Sequence, residues 1–202
     1  MKKILFTLVI LISGTAFSPA QSFDGGLFFG ANTSQVFGDD MAGFNKLGIY
    51  TGAFVSLPLS RKTFLQLELT YIEKGSSEKI EEDNPTYNPY AIKTNYLEVP
   101  ILLGWKSDPF ALELGLSASL LVKGEDMDGV NSFDPSAQFS KTNFGFIMGG
   151  SYYINKNIAI GCRYSGSILA FRKLEHNEPS TIRRGGQFHT GVSFTFNFHF
   201  NG

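Results

Sequence analysis

The feature that most constrains the fold is a strict alternation of apolar and polar residues along short segments. On four segments, one parity is apolar at 21 of 22 positions, whereas 15 of the 19 positions of the other parity are polar or glycine. A period of two residues is that of a β-strand with one apolar and one polar face. The apolar parity runs over 65–71, 97–105, 110–120 and 188–200. No helical period of 3.6 residues persists after residue 20, so the sequence predicts an all-β chain.

Eight segments have this character and end at clusters of Gly, Pro, Asn, Asp or Ser. The predicted strands are 23–32, 47–57, 64–71, 96–105, 110–121, 143–153, 158–169 and 187–200. Their connections alternate between long and short, at 14, 6, 24, 4, 21, 4 and 17 residues. This layout is typical of small outer-membrane barrels. The sequence therefore predicts an eight-stranded antiparallel up-and-down transmembrane β-barrel with long extracellular loops and short periplasmic turns.

Residues 1–20 have the features of a secretory signal peptide. Two lysines precede an apolar run at 4–12, and small residues lead to Ala20. The run is shorter than the roughly 20 residues that a membrane-spanning helix needs. We expect cleavage after Ala20 and one barrel domain over 21–202. A buried N-terminal helix or strand is the alternative.

The charge distribution predicts which barrel face meets lipid. A soluble, lipocalin-like barrel would place its apolar face inside and a charged face in water. Only five charged residues fall on the predicted strands: Asp24, Glu68, Glu98, Glu113 and Arg163. The sequence thus favours an apolar face in lipid and charged loops in water. The formal net charge of −1 does not indicate nucleic-acid binding, which requires a basic surface. The single cysteine, Cys162, excludes an internal disulfide.

Aromatic residues recur at one end of the predicted strands, on the apolar parity. An interfacial girdle is expected at such a position. We predict this girdle, at the periplasmic boundary, to comprise Trp105, Phe110, Tyr152, Phe198 and Phe200.

Two segments resemble a known family. Residues 96–103, Tyr-Leu-Glu-Val-Pro-Ile-Leu-Leu, resemble the fourth-strand signature of the outer-membrane β-barrel domain of Bacteroidota, the PorT-like group of "porin family" proteins. Residues 191–198 are similar to the Phe-rich closing strand through which such barrels are recognised by the barrel-assembly machinery. The resemblance covers essentially all of 21–202. It implies an integral outer-membrane protein of a Gram-negative bacterium, but no defined activity, since most members have none assigned and PorT itself is linked to protein secretion.

Parity places several ionisable side chains inside the barrel: Glu68, Glu98, Glu113, Arg163, His189 and His199. An eight-stranded barrel is just wide enough for side chains to fill. We predict a structural plug in which Arg163 pairs with one or two of the glutamates. A proton or ion path along the carboxylates is the alternative. Pro100 interrupts a strand, where we expect a bulge or bend.

The connections carry weaker signals. The acidic segment 126–131 lacks the glycine and glutamate positions of a calcium-binding EF-hand, so no metal and no cofactor are predicted. Asp39, Asp40 and His176 could form a hydrolase site at the rim, but no Ser-His-Asp set is legible.

The last long connection has a net charge of +2, and the second and third have −2 each. These loops could attract one another across the barrel mouth. Alternatively, guanidinium groups could bind lipid A phosphates or a partner. The candidate cations are Arg172, Lys173, Arg183 and Arg184.

Three functions remain open at this stage. The leading one is a non-enzymatic, monomeric outer-membrane barrel that acts through its loops or as an accessory of an envelope or secretion assembly. The second is a narrow channel for ions or small solutes. The third is an outer-membrane hydrolase. The expected partners are outer-membrane lipid and lipopolysaccharide, the barrel-assembly machinery, and an envelope protein.

Overall fold

The computed structural model describes residues 23–39, 43–78, 91–128, 131–133, 139–172 and 186–200. These residues form nine β-strands: β1 Asp24–Phe37, β2 Lys46–Pro58, β3 Thr63–Ser77, β4 Ala91–Ser107, β5 Phe110–Asp128, β6 Asn131–Phe133, β7 Thr142–Tyr153, β8 Ile158–Ser167 and β9 Phe188–His199. No helix among the described residues is long and apolar enough to cross a membrane.

Eight of the strands close into a barrel. Each pairs antiparallel with its neighbours in the order β4-β3-β2-β1-β9-β8-β7-β5, and a pairing between β4 and β5 closes the ring. The short β6 adds only a hairpin at the end of β5. The prediction of a closed eight-stranded antiparallel barrel is confirmed. Closure pairs the strand edges that an open sheet would leave exposed.

The two faces of the barrel follow the predicted parity. Leu114 on β5 is 60% exposed and points outward, whereas Glu68 on β3 is 2% exposed and lies in the lumen. On β4 the outward apolar run extends from Leu97 to Trp105, nine residues. A transmembrane β-strand needs about 9–11 residues, so this apolar band has the height of a bilayer core. Cys162 also lies exposed on this face, as its parity predicts.

Four strands continue well beyond their predicted ends on the side of the long connections, hereafter the loop end; the opposite side is the turn end. β1 ends at Phe37 instead of residue 32. β3 ends at Ser77 instead of residue 71, β4 begins at Ala91 instead of 96, and β5 ends at Asp128 instead of 121. Outward residues turn polar here, as at Glu73 and Asn95, so the apolar alternation stops although the strands do not. The sequence therefore marked the end of the apolar band rather than the end of the strands.

β4 is irregular at two places: its ladder with β3 is interrupted at Pro100, where Glu68–Pro100 and Leu69–Val99 do not pair, and a register shift against β5 lies further along the strand. Pro100 pairs with Ser117 inside the regular β4–β5 ladder, and β3–β4 pairs on both sides of it, Leu67–Ile101 and Thr70–Glu98, keep one register. The register shift falls between Asn95 and Tyr96. Pro100 lacks a donor, and the barrel tolerates this without a shift in strand pairing.

Candidate functional site

The centre of the lumen contains an ion-paired cluster around Arg163 on β8. Its Nη1 and Nη2 atoms donate to the two carboxylate oxygens of Glu68 at 2.9 and 2.8 Å. Its Nε donates to Glu113, and Nη2 makes a second bond to that carboxylate at 3.1 Å. Nη1 also donates to the Tyr50 hydroxyl at 2.9 Å, and Gln66 donates to Glu68 at 2.6 Å. One guanidinium thus bridges the lumen between two carboxylates from strands that are not its neighbours.

Glu98, the fourth predicted member, lies in a separate cluster. The Lys74 ammonium binds its Oε1 at 2.5 Å, and the Ser119 hydroxyl donates to the same atom at 2.8 Å. Sequence reasoning missed Lys74 because the predicted strand stopped at residue 71. The inward parity 68, 70, 72, 74 would have placed it in the lumen.

The two predicted lumen histidines lie at different levels. His189 Nε2 is 3.3 Å from the Tyr96 hydroxyl and 3.4 Å from Thr94 Oγ1, near the loop end. At the turn end, His199 Nδ1 is 2.7 Å from Asp24 Oδ2. The lumen therefore carries polar pairs at its centre and towards both ends.

Apolar side chains fill much of the space between these pairs. Near the loop end, Phe139 and Phe171 pack with Val36 and Ile92, and the Phe171 ring stacks on His189 with centroids 3.7 Å apart. We refer to Phe139 and Phe171 as the mouth plug. A second cluster packs deeper in the barrel: Phe28, Tyr50, Phe54, Ile72 and Tyr96. The cavity beside Lys74 and Glu98 measures about 10 Å³, which is space for about one water molecule.

A larger cavity of about 430 Å³ opens at the turn end. It is lined by charged and polar groups, including Asp24, His199 and Tyr153. The Lys106 ammonium lies 3.8 Å from the centre of the Tyr153 ring and 3.7 Å from Asp108. This cavity is a shallow vestibule below the filled lumen.

The cations predicted to bind lipid A are described only in part. Arg172 lies at the loop-end rim, where Nη1 is 3.1 Å from Asp126 Oδ2 and the guanidinium lies 5.5 Å from the Phe139 ring centre. This ion pair joins the segment after β8 to the loop-end part of β5, and both positions belong to long connections in the sequence prediction. Lys173, Arg183 and Arg184 lie outside the described residues.

The other rim predictions fall largely outside the described part of the chain. Asp39 is described, whereas Asp40 and His176 are not. Within the described residues, no group of three or more His, Cys, Asp or Glu side chains could hold a metal ion. The signal-peptide prediction for residues 1–20 also lies outside them.

The predicted aromatic girdle is located at the turn end of the outer face. Trp105, Phe110, Tyr152, Phe198 and Phe200 are all exposed, and Phe110 and Tyr152 are paired across β5 and β7 with ring centroids 5.4 Å apart. The Lys62 ammonium lies 5.7 Å from the Trp105 ring centre. Aromatic rings with adjacent cations are suited to the boundary between lipid and water.

Comparison with known proteins gives one family and several related folds. The family model described as outer membrane protein beta-barrel domain matches residues 19–170, well over half of the chain. Neisserial surface protein A (NspA) is similar with a TM-score of 0.57 at 13% identity, covering 88% of this chain and 99% of that chain. No curated protein matches the sequence.

A second similar structure is Ail, the attachment invasion locus protein of Yersinia pestis, with a TM-score of 0.54 at 14% identity, covering 88% of this chain and 98% of that chain. Ail in complex with the heparin analogue sucrose octasulfate has a TM-score of 0.52 at 14% identity, covering 89% and 99%. At these identities the likeness establishes a shared fold.

Proposed function

The chain belongs to the outer membrane protein beta-barrel domain family, and we propose that it is a closed, non-enzymatic barrel whose loop end binds a partner. It is a β-barrel protein of the outer membrane. The observation that carries the proposal is the filled lumen, together with strands β3, β4 and β5 that continue beyond the apolar band. A barrel with a filled lumen and extended strands at its loop end is suited to binding at its surface rather than to conduction through its lumen.

The filled lumen disfavours a channel. A solute would have to displace the mouth plug and then separate Arg163 from both Glu68 and Glu113. Separated from one another, these charges would be buried without partners, which costs several kcal/mol per ion.

The proposed orientation places the turn end in the periplasm and the loop end outside the cell. The short connections at the turn end support it, since outer-membrane barrels have short periplasmic turns. We also propose that residues 1–20 are a cleaved signal peptide and that the mature domain spans 21–202.

The finer family placement is likewise a proposal. The segment that resembles the PorT-like signature lies on β4, where Glu98 and Tyr96 point into the lumen. A role as an accessory of an envelope or secretion assembly follows from that placement alone. Ail has been solved with a sulfated glycan analogue, so a sulfated glycan is a second class of partner to test.

The test separates loop-dependent binding from conduction. Residues 79–90 and 173–185 are replaced by short Gly-Ser linkers, and folding is checked by heat-dependent gel mobility, which closed membrane barrels show. We expect wild-type protein to capture sucrose octasulfate or an envelope protein and the trimmed barrel to lose this capture while remaining folded. Equal capture by both proteins, or discrete conductance of the wild type in planar bilayers, would contradict the proposal.

A further inference from the structure

The cavity of about 430 Å³ at the turn end, hereafter the vestibule, is built from separate parts of the chain. Its walls come from the ends of β1, β4, β7 and β9 and from the β7–β8 turn. They carry the polar side chains of Asp24, Lys106, Tyr153, Asn155, Lys156 and His199. Small-molecule sites are concave and measure roughly 300–1,000 Å³. The vestibule therefore has room for an organic ligand.

The two lysines of the vestibule have unused hydrogen-bonding capacity. The Lys106 ammonium lies 3.8 Å from the centre of the Tyr153 ring, and its ion pair with Asp108 spans 3.7 Å, which is longer than a hydrogen bond. Among the described residues, the Lys156 ammonium has no ion-pair partner. Each ammonium can donate three hydrogen bonds. Both lysines can thus donate to an acceptor on a ligand.

Two neutral donors line the same cavity. The side-chain oxygen of Asn155 accepts from the backbone N–H groups of Asn157 and Ile158 at 2.8 and 2.9 Å. These bonds fix the amide, and the described part of the chain supplies no acceptor for its NH₂ group. The Tyr153 hydroxyl likewise has no hydrogen-bond partner within the described ranges. Both groups are therefore available to a ligand.

The carboxylates of the vestibule are occupied or hydrated. Asp24 Oδ2 lies 2.7 Å from His199 Nδ1. Because an ionised carboxylate can only accept, this ring nitrogen is the donor. The other oxygen of Asp24, Oδ1, is buried, and the Asp108 side chain is 84% exposed to water. The free groups of the vestibule are thus mostly donors, although the formal charges of its two lysines and two aspartates balance.

We propose that the vestibule binds a carboxylate-bearing organic ligand, with the ammonium groups of Lys106 and Lys156 on the carboxylate and Tyr153 and Asn155 as neutral donors. Ammonium groups make charge-assisted hydrogen bonds to carboxylates. Contact with the Tyr153 ring already positions the Lys106 ammonium, so less side-chain freedom is lost when the ligand binds.

The nearby aspartates favour a carboxylate over a phosphate. Asp24 and Asp108 repel any anion in the cavity, and Coulomb repulsion of a doubly charged phosphate is about twice that of a singly charged carboxylate. The C-terminus of a peptide and a small organic acid share this chemistry. In the orientation proposed above, the ligand would reach the vestibule from the periplasm. The site lies at the opposite end of the barrel from the proposed partner-binding surface.

An NMR titration of the folded full-length barrel in maltoside micelles tests the site, with the amide signals of the turn-end residues as the readout. The probe is N-acetylated trialanine with a free C-terminal carboxylate, and the matched probe is the same peptide with a C-terminal amide. We expect the carboxylate peptide to bind the wild type and the amide to bind at least about tenfold more weakly, because charged hydrogen bonds are stronger than neutral ones.

The test variant is Lys106→Gln/Lys156→Gln. The control is Arg61→Gln/Lys62→Gln, which removes two exposed cations from the β2–β3 turn at the same end of the barrel. Both variants lose the same formal charge, so general electrostatic attraction falls equally in both. We expect the dissociation constant for the carboxylate peptide to rise roughly tenfold in the test variant and to stay within about twofold of the wild-type value in the control.

Equal binding of the two peptides, equal loss in both variants, or tighter binding of inorganic phosphate than of the carboxylate would overturn the site. So would the absence of binding by both the carboxylate peptide and butyrate. Butyrate that binds as well as the peptide would identify a small organic acid as the source, and weaker binding of butyrate would identify a peptide terminus.

Two further samples keep the result interpretable. If the double variant fails the gel-mobility test for folding, Lys156→Gln alone decides, with Lys62→Gln as its control, since both side chains are exposed. The barrel trimmed at 79–90 and 173–185 should bind the carboxylate peptide as the wild type does. Loss of partner capture at the loop end and loss of carboxylate binding at the turn end are therefore measured separately.

Discussion

Replacement of Arg163 by methionine should destabilise the barrel strongly, because this one side chain neutralises two carboxylates in the lumen. The substitution removes five hydrogen bonds: two to Glu68, two to Glu113 and one to Tyr50. Both carboxylates are less than a tenth exposed, so neither gains much hydration in exchange. Loss of one partner of a buried ion pair costs about 3–5 kcal/mol, and we expect a loss of this size in the free energy of unfolding.

Urea unfolding in lipid vesicles, followed by fluorescence, measures this loss. The chain has one tryptophan, Trp105 in the girdle, which gives a single well-placed signal. The matched variant is Arg163→Met/Glu68→Gln/Glu113→Gln, which removes the stranded charges and should recover stability to within about 1 kcal/mol of the wild type. A single variant as stable as the wild type, or a triple variant as unstable as the single one, would refute the electrostatic argument.

Three further substitutions test other parts of the structure. Leu114→Arg places a charge in the apolar band and should cost about 2–4 kcal/mol in vesicles, whereas Leu114→Ala should cost less; equal costs in the same urea assay would place this face outside lipid. Lys74→Met should lower the unfolding midpoint by stranding Glu98, and Lys74→Met/Glu98→Gln should restore it; no restoration would show that the lysine acts by packing alone. Phe171→Ala removes a buried ring from above His189 and should lower the free energy of unfolding by about 3 kcal/mol. It should not create conductance in planar bilayers, because the Arg163 cluster still closes the lumen. Discrete currents would show instead that the mouth plug alone blocks conduction.

The sequence predicts the face of the barrel on which a residue lies wherever apolar and polar residues alternate with a period of two. The outward leucines and phenylalanines, the lumen position of Arg163 and the girdle all follow from parity, because a strand fixes the face of each residue once one is known. The Lys74–Glu98 pair follows the same rule, but the sequence did not predict it, because β3 continues past its last outward apolar residue. Parity alone also could not say which of the three glutamates would meet Arg163. That choice depends on strand tilt and stagger across the lumen, which are global properties of the barrel.

The burial of the mouth plug could not be predicted from the pattern of apolar residues. Phe139 and Phe171 lie outside the named strands, and nothing in their spacing marks them as buried. They enter the lumen because the chain bridges Phe139 to Arg172, and Arg172 to Gln187, across three separate segments. The bulge between Asn95 and Tyr96 was missed for a related reason. It accommodates one extra residue of β5, and a bulge of this kind leaves no trace in the composition of β4.

The charged centre of the lumen has a consequence that an apolar filling would not give. Backbone ladders fix the register of each strand only against its two neighbours, and a slip of two residues would keep every side chain on its own face. Arg163 on β8 contacts Glu68 on β3 and Glu113 on β5, and neither of these strands pairs with β8. A two-residue slip anywhere between them would leave charges buried without partners, at a cost of several kcal/mol. We infer that the cluster selects one stagger of the whole barrel, and thereby sets the height at which the loop end stands above the apolar band.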